Sequence, residues 1–415
     1  MAAGTSLAGA ATLPAERSGP SGALARWLLR PEREQIPPMV AAAQAAGAPA
    51  GELVQMARDE GLAPWLHYRA RQAGIVFAPA VAAALTSDYH ASLSRNTYMF
   101  GQLAGVGRIA AAQGVDLLML KGAHLAAWLY PSPATRPMVD IDLLVRREQA
   151  PQLVAALSAA DYRVVSHEPR PGAGLEFENQ LLLAHPGKSD YGCLALHWSL
   201  LDFPSYQRRL RMEDFWQRAG SCALPGMDAR VLAAEDLLVY LCAHLALHHQ
   251  WSRLIWLCDI ALLLERVRGT LDWDRACALA ESAELSLALG ETLRRAAGIL
   301  GAVVPADVWA RLNSVPVGPA ERYAWQAMTQ SGRSAGRSFW TNLRAMHGIR
   351  SRLGFARAHL LPSPGYMRRR YQLTSNWQLP AAYAGRWLLG IRSMHLPGRA
   401  QNEPLPDSSR ARLSG

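Results

Sequence analysis

The chain has 415 residues, half of them hydrophobic and 18% charged, with a formal net charge of +10. At about 150 residues per domain, this length predicts two or three domains, and the apolar share excludes wholesale disorder. Five scattered cysteines (Cys193, Cys222, Cys242, Cys258, Cys277) with no CxxC pair exclude a disulfide framework and a zinc ribbon, and they fit a reducing, cytoplasmic setting. No run approaches the ~20 apolar residues that span a bilayer.

Residues 1–22 lack a basic start followed by an apolar run, and they read as a disordered leader rather than a signal peptide. Residues 23–112 read as an N-terminal helical region. Apolar residues recur at helical spacing through ALARWLL, MVAAAQAA, ELVQMARDEGLAPWLHYRARQ and AVAAALTSDYHASLSRNTYMFGQLAGVGRIAAAQG, with Gly114 as the C-cap of the last. The pattern then changes, and residues 113–204 form a separate block. VDLLML (115–120) is a short apolar run that predicts a buried strand. GAHLAAWLY (122–130) predicts a helix stopped by Pro131 and Pro133. MVDIDLLV (138–145) alternates, with Asp140 and Asp142 on one face and Val139, Ile141 and Leu143 on the other. EQAPQLVAALSAAD predicts a helix. YRVVSH, LEFENQLLLAH and YGCLALHWSL predict strands, the last two joined by the turn chemistry of PGKSD (186–190).

Residues 205–330 read as a helical domain built on EDLLVYLCAHLALHHQ, WSRLIWLCDIALLLERV, WDRACALAESA and LSLALGETLRRAAGIL, with RAGSCALPGMDAR (218–230) as a loop. Residues 331–397 read as a basic helical tail and 398–415 as disordered. Residues 331–415 hold 14 Arg against Glu403 and Asp407, and no acidic residue occurs from 331 to 402. Such a segment attracts polyanions: nucleic acid, a phosphorylated substrate or an anionic membrane surface. A solvated helical surface has the same composition. Arg368, Arg369 and Arg370 lie among Tyr366, Tyr371 and Trp377, a mixture that suits base stacking, a membrane surface or cover over the rest of the protein. Only Lys121 and Lys188 are lysine among 43 cations. A lysine against that background marks a place for a compact point charge rather than the planar fork of Arg.

The sharpest chemical feature is Asp140-Ile141-Asp142. Two carboxylates at i, i+2 on a strand project from one face and can share a divalent cation, as phosphoryl and nucleotidyl transfer require. Leu120-Lys121-Gly122 ends a strand and opens a helix, so Gly122 allows close backbone approach and Lys121 adds a point charge for a phosphate. Arg136, just upstream of the carboxylates, can clamp a phosphate oxygen. His244 and His248 have the i, i+4 spacing of a helical zinc pair, but there is no HExxH and no third ligand is forced. Helix packing or a substrate-facing role is the simpler reading.

With these residues in place, LLMLKGAHLAAWLYPSPATRPMVDIDLLV resembles the signature of the bacterial uncharacterised nucleotidyltransferase family, within the DNA polymerase β-like superfamily. The KG…R…DxD order also resembles nucleotidyltransferase toxins of abortive-infection and toxin–antitoxin systems. NTYMFGQLAGVGRIAAAQGVDLLMLKG, ALHWSL (195–200), EDLLVYLCAHLALHHQWSRLIWLCDIALLL (235–264) and LLPSPGYMRRRY extend the similarity over most of residues 30–395. The resemblance implies an α+β fold: a small mixed nucleotidyltransferase sheet with flanking helices, embedded between N-terminal and C-terminal helical regions. It also implies metal-dependent transfer of an NMP from an NTP to an acceptor, which could be a small molecule, a peptide, a glycan or RNA. Asp140 and Asp142 match the metal-binding pair for Mg²⁺ or Mn²⁺. Lys121, Gly122 and Arg136 match the phosphate-handling positions.

Two departures stand out. Ala123 occupies a position where the superfamily usually has Gly or Ser. Ala195, in Leu194-Ala195-Leu196-His197-Trp198, stands where relatives carry a third carboxylate. Either Glu176 or Glu178 substitutes, or His197 acts as base or two carboxylates suffice, or the site binds nucleotide or polyanion without catalysing. A toxin-like enzyme that adds nucleotides to RNA is a further alternative.

Overall fold

The change of pattern after residue 113 is where the first strand forms. The long helix Pro79–Ala112 ends at Gly114, which takes a left-handed φ of +64°. The Gly114 N–H reaches the Ala111 carbonyl (3.0 Å) and the Val115 N–H reaches the Ala110 carbonyl (2.9 Å). This pair of hydrogen bonds closes a helix over a residue that a side chain would strain. The apolar run beyond it becomes β1 (Leu117–Met119), followed by the short helix Gly122–Trp128, a 3₁₀ turn at Pro133–Thr135 and β2 (Asp140–Val145). The computed structural model describes residues 19–44, 50–166, 168–185, 193–329, 335–346 and 348–395. Of the expected leader, residues 1–18 lie outside these, and Pro20 already opens the helix Pro20–Leu29. The PGKSD turn and the 398–415 tail also lie outside the described residues.

The remaining strands are β3 (Arg163–Val164), β4 (Gln180–Ala184), β5 (Cys193–His197), β6 (Gly220–Leu224) and β7 (Met227–Val231). They make one seven-stranded mixed sheet in the order β3-β4-β5-β2-β1-β7-β6. β4 pairs antiparallel with both β3 and β5, and β7 pairs antiparallel with β6 and parallel with β1. With its flanking helices this is an α+β fold.

Three elements differ from expectation. The segment 218–230, read as a loop, is the β6–β7 hairpin. Leu224 faces Met227 across Pro225-Gly226, and Gly226 has φ +83°. Pro followed by Gly at positive φ is the chemistry of a tight type II turn. The small residues of β6 hid it, although Met227–Val231 alternates apolar with polar. LEFENQLLLAH, read as one strand, splits into a helical turn at Ala173–Phe177 and β4. Phe177 is drawn into an apolar cluster with Met346, Phe355 and Ala358, and tertiary packing decides the local conformation. Val139 precedes β2 and is 69% exposed, so it does not share the buried face of Ile141 and Leu143.

The chain divides into two compact units, each assembled from separate stretches. The first comprises Met1–Arg108, Leu117–Asp142 and Glu213–Glu321. Here the helix Leu254–Arg266 packs on Ser286–Leu300 and on Pro20–Leu29, burying Trp27, Leu28, Ile260 and Leu289. Arg26 and Arg30 donate to the carbonyls of Ile299 and Leu300, both at 2.8 Å, satisfying acceptors that a helix end leaves without intrahelical partners. The second unit comprises Ile109–Asp116, Leu143–Met212 and Arg322–Gly415. Its helices Ala335–Ala345 and Ile349–Leu360 meet around Phe355, whose ring lies 5.5 Å from Phe339, 5.6 Å from Phe177 and 4.1 Å from His359.

Burial, with help from Arg386, pulls the His359 imidazole down to about 4 from its ordinary 6.5. Between those values the unfolded chain binds a proton that the folded chain excludes, so stability falls as pH falls through that window. His359→Phe keeps a ring in the cluster and removes this linkage. The urea midpoint should then drop less between about pH 7 and about pH 4.5 than in the wild type. Equal drops would show that His359 is not the group excluded.

Candidate active site

The first unit brings together Lys121, Gly122, Arg136, Asp140 and Asp142, all expected from sequence. Lys121 lies two residues past β1 and caps the helix Gly122–Trp128, and the Leu120 N–H bonds the Asp142 carbonyl at 3.2 Å, which holds the chain leaving β1 beside β2. Lys121 Nζ lies 3.4 Å from Asp142 Oδ1. Asp142 is only 3% exposed. At such a distance two unit charges attract by roughly 4–5 kcal/mol at an effective dielectric near 20. Much of that is offset by the water both groups give up.

Asp140 is half-buried two residues earlier. Burial first, and the neighbouring Asp142 charge second, push its carboxyl up to about 6, against the pull of Lys121 and Arg136. Burial disfavours the Lys121 ammonium, but the charge of Asp142, with Tyr240 and Asp140, outweighs that and holds its pKa above the ordinary range. The ammonium can only donate, so His244 Nε2, 2.9 Å from Lys121 Nζ, must accept. That makes His244 a neutral imidazole with its proton on Nδ1. Tyr240, one turn earlier on the same helix, has its hydroxyl pushed up by burial and by both aspartates despite Lys121.

Arg136 is held differently. Its Nη2 and Nε bond Asp259 Oδ2 and Oδ1 at 2.8 and 3.3 Å, and the Tyr130 hydroxyl donates to Asp259 Oδ1 at 2.7 Å. The guanidinium therefore keeps a buried counter-ion, and its Nη1 faces Gly122, 3.8 Å from where a Cβ would sit there. A Cβ at Gly122 would meet the Asp140 carbonyl and Met138 Sδ at 3.6 Å, which is ordinary contact. The protein's own packing does not require glycine at 122.

The loop that carries Arg136 is fixed by the long helix Pro79–Ala112. Asn96, fully buried, donates to the carbonyls of Pro133 (2.6 Å) and Arg136 (2.9 Å) and accepts from the Met138 N–H (3.2 Å). Ser92 donates to the Ala134 carbonyl (2.7 Å). Sequence reasoning missed Ser92, Asn96, Asp259 and Tyr130 as parts of this site. Ser92 and Asn96 form an i, i+4 pair, but they sit in the polar stretch TSDYHASLSRNT, where nothing sets them apart from their neighbours. Asp259 stood out only as a lone acid within LIWLCDIALLL.

His244, His248 and His249 pack against one another and against Trp256. The helix Ala234–His244 continues as a π-helical turn, Leu245–His249. The rings of His244 and His248 stack at 5.0 Å, and His249 stacks on Trp256 at 3.9 Å. Among the described residues no group of three or more His, Cys, Asp or Glu side chains is placed to hold a metal ion.

The other expected residues belong to the second unit. Ala195 is buried on β5 opposite Leu182, and His197 is buried at the end of the same strand opposite Gln180. Glu176 lies in the helical turn Ala173–Phe177. Glu178 follows it, its carboxyl raised by burial and by Asp202 and Glu168, while its carbonyl accepts the Trp198 indole N–H at 2.8 Å. Neither glutamate lies on the strand preceding β5.

A mixed sheet with a lysine–glycine turn after one strand and paired aspartates on the next is the arrangement that the nucleotidyltransferase resemblance implies. The family model described as "Uncharacterised nucleotidyltransferase" matches residues 47–301, more than half of the chain, and the chain belongs to that family. No curated protein matches the chain.

Removing one partner of a buried ion pair strands the other charge without water. Asp259→Ala should therefore destabilise the protein by about 3–5 kcal/mol in urea unfolding. A loss below about 1 kcal/mol, the range of exposed pairs, would contradict the buried-pair description.

Proposed function

We propose that the first unit carries a metal-dependent nucleotidyltransferase site that moves a nucleoside monophosphate from an NTP to an acceptor hydroxyl or phosphate. The observation that carries the reading is the meeting of two carboxylates, one compact cation and one clamped guanidinium around a glycine that the protein's own packing leaves unexplained. The donor set suits a cation. Asp140 and Asp142 raise each other's cost of ionising, and Mg²⁺ is commonly held by one or two carboxylates with substrate phosphates and water completing its shell. Asp140 and Asp142 would hold Mg²⁺ or Mn²⁺, which supplies charge neutralisation at the triphosphate.

The remaining roles belong to the chain itself. Lys121 is shared between Asp142 and His244, and it offers a rotatable donor to phosphate oxygens. Arg136, oriented by Asp259, presents Nη1 beside Gly122. The backbone at Gly122 lets a phosphate approach without meeting a side chain. The acceptor oxygen forms its bond to the α-phosphorus as the bond from that phosphorus to the α–β bridging oxygen breaks; pyrophosphate leaves with the electron pair, and the proton of a hydroxyl acceptor passes to water. His197 belongs to the second unit and is left out of this proposal.

A second reading is favoured by Ala195. With an alanine where relatives carry an acid, the same residues can serve a protein that binds nucleotide and does not turn it over. Radiolabelled NTPs with Mg²⁺, incubated with the protein and fractions of cell RNA, protein and small molecules, separate the two. Label in one fraction names the acceptor class, and RNA labelling gives the toxin-like variant of the reading. Binding without labelling gives the second reading.

Asp140→Asn with Asp142→Asn should reduce Mg²⁺-dependent transfer or NTP affinity by at least a hundredfold, given the several kcal/mol that metal stabilisation of charge contributes. Unchanged behaviour removes the assignment. Gly122→Ala should leave the melting temperature within a few degrees, since the new methyl meets only ordinary contacts. It should weaken NTP binding about tenfold or more, the scale on which a clash costs some 1.4 kcal/mol. Equal NTP affinity would show that no ligand comes close to that backbone.

A further inference from the structure

The C-terminal helices of the second unit carry a surface that the nucleotidyltransferase reading does not use. Of the eighteen large hydrophobic side chains that the described residues leave exposed, ten fall between Trp340 and Ile391. The helix Leu379–His395 places Trp387, Leu388 and Ile391 on one stripe at i, i+1, i+4, with exposures of 43%, 62% and 51%. Trp387 donates its indole N–H to the Leu360 carbonyl at 2.7 Å. This sets the stripe beside the exposed Leu360 and Leu361, so the apolar groups adjoin rather than scatter. Trp377, in the neighbouring turn Asn376–Gln378, is 78% exposed. A further open groove of about 350 Å³ is lined by Trp340, Leu343, Arg344, Arg352, Leu353 and Ala356.

The charge that these helices themselves carry has one sign, although Glu176 Oε1 lies 3.7 Å from where a Cβ would sit on Gly354. From residue 331 to 402 the chain has arginines and no acidic residue. Arg368, Arg369 and Arg370 are all exposed on the helix Pro364–Tyr371, as is Arg392 next to Ile391. Exposed arginine alone fits any polyanion. The aliphatic side chains decide between occupants. Leu and Ile cannot stack on nucleic-acid bases and gain nothing from a sugar–phosphate backbone. In the acyl boundary of a lipid bilayer they gain in proportion to buried apolar area, while Arg meets the headgroups and Trp favours the interface. No helix among the described residues is long and apolar enough to cross a membrane, so contact through these helices would be along the surface.

We propose that the helices between residues 349 and 395 dock the second unit onto an anionic lipid bilayer, with Trp387, Leu388 and Ile391 entering the acyl boundary and Arg368, Arg369 and Arg370 meeting the headgroups.

Flotation of the full chain tests this with vesicles of phosphatidylcholine alone and of phosphatidylcholine mixed equally with phosphatidylglycerol. The protein should float with the anionic vesicles, bind the neutral ones at least tenfold more weakly, and be released by salt. Leu388→Ser with Ile391→Ser should lower anionic-vesicle affinity about tenfold or more, and Arg368→Gln with Arg369→Gln and Arg370→Gln roughly a hundredfold. Both variants change exposed side chains, and their circular dichroism should match the wild type. No flotation, or flotation that neither variant weakens, overturns the proposal. So does binding of a single-stranded RNA oligonucleotide that the arginine variant abolishes while vesicle binding persists unchanged, since that assigns the arginines to nucleic acid.

Discussion

Asp142 sits almost out of reach of water with a second carboxylate two residues away, and the ammonium of Lys121 lies 3.4 Å from it. That ion pair constrains its surroundings. The end of β1 must stop where Lys121 can turn toward β2, and His244 must remain neutral to accept from the same ammonium. Arg136, only six residues before Asp142, needs a counter-ion of its own. Asp259 supplies it, with Tyr130 sharing the acceptor. Two buried ion pairs thus stand where hydrophobic residues would cost less. Beside both lies Gly122, a glycine that the protein's own packing does not force.

The strand–helix–strand outline of the site was legible in the sequence because it rests on local signals. A glycine ended the long helix, prolines ended the short one, and alternating DIDLLV set the two aspartates together. Lys121 was conspicuous as one of two lysines in a chain that otherwise uses arginine. What the sequence did not yield came from distant partners. Nothing local to Asn96 says that it will hold a loop some forty residues away, and nothing local to Asp259 says that it will orient Arg136. The β6–β7 hairpin was missed for another reason: β6 is built of small residues without alternation, which masked the alternating Met227–Val231 and the Pro225-Gly226 turn. Packing of Phe177 against Met346 and Phe355 likewise overrode a run that reads as a strand.

Membership of the uncharacterised nucleotidyltransferase family and the charged cluster bear on different questions. Membership gives the general chemistry. The cluster gives a physical reason for each residue that the chemistry would use: a point charge where Lys121 must serve two acceptors, a planar fork where Arg136 must be gripped from behind and still present an edge. Ala195 is the place where general and particular part, because it offers neither charge nor proton acceptor.

The central claim is that Asp140 and Asp142 act together on a divalent cation that accompanies a triphosphate. Electron paramagnetic resonance of Mn²⁺ titrated into the 415-residue chain tests it most directly, with and without a non-hydrolysable NTP analogue. The account predicts that the analogue strengthens Mn²⁺ binding at least tenfold and that Asp142→Asn removes the enhancement while the protein stays folded. Enhancement that survives in Asp142→Asn, or Mn²⁺ binding indifferent to the analogue in the wild type, would contradict it.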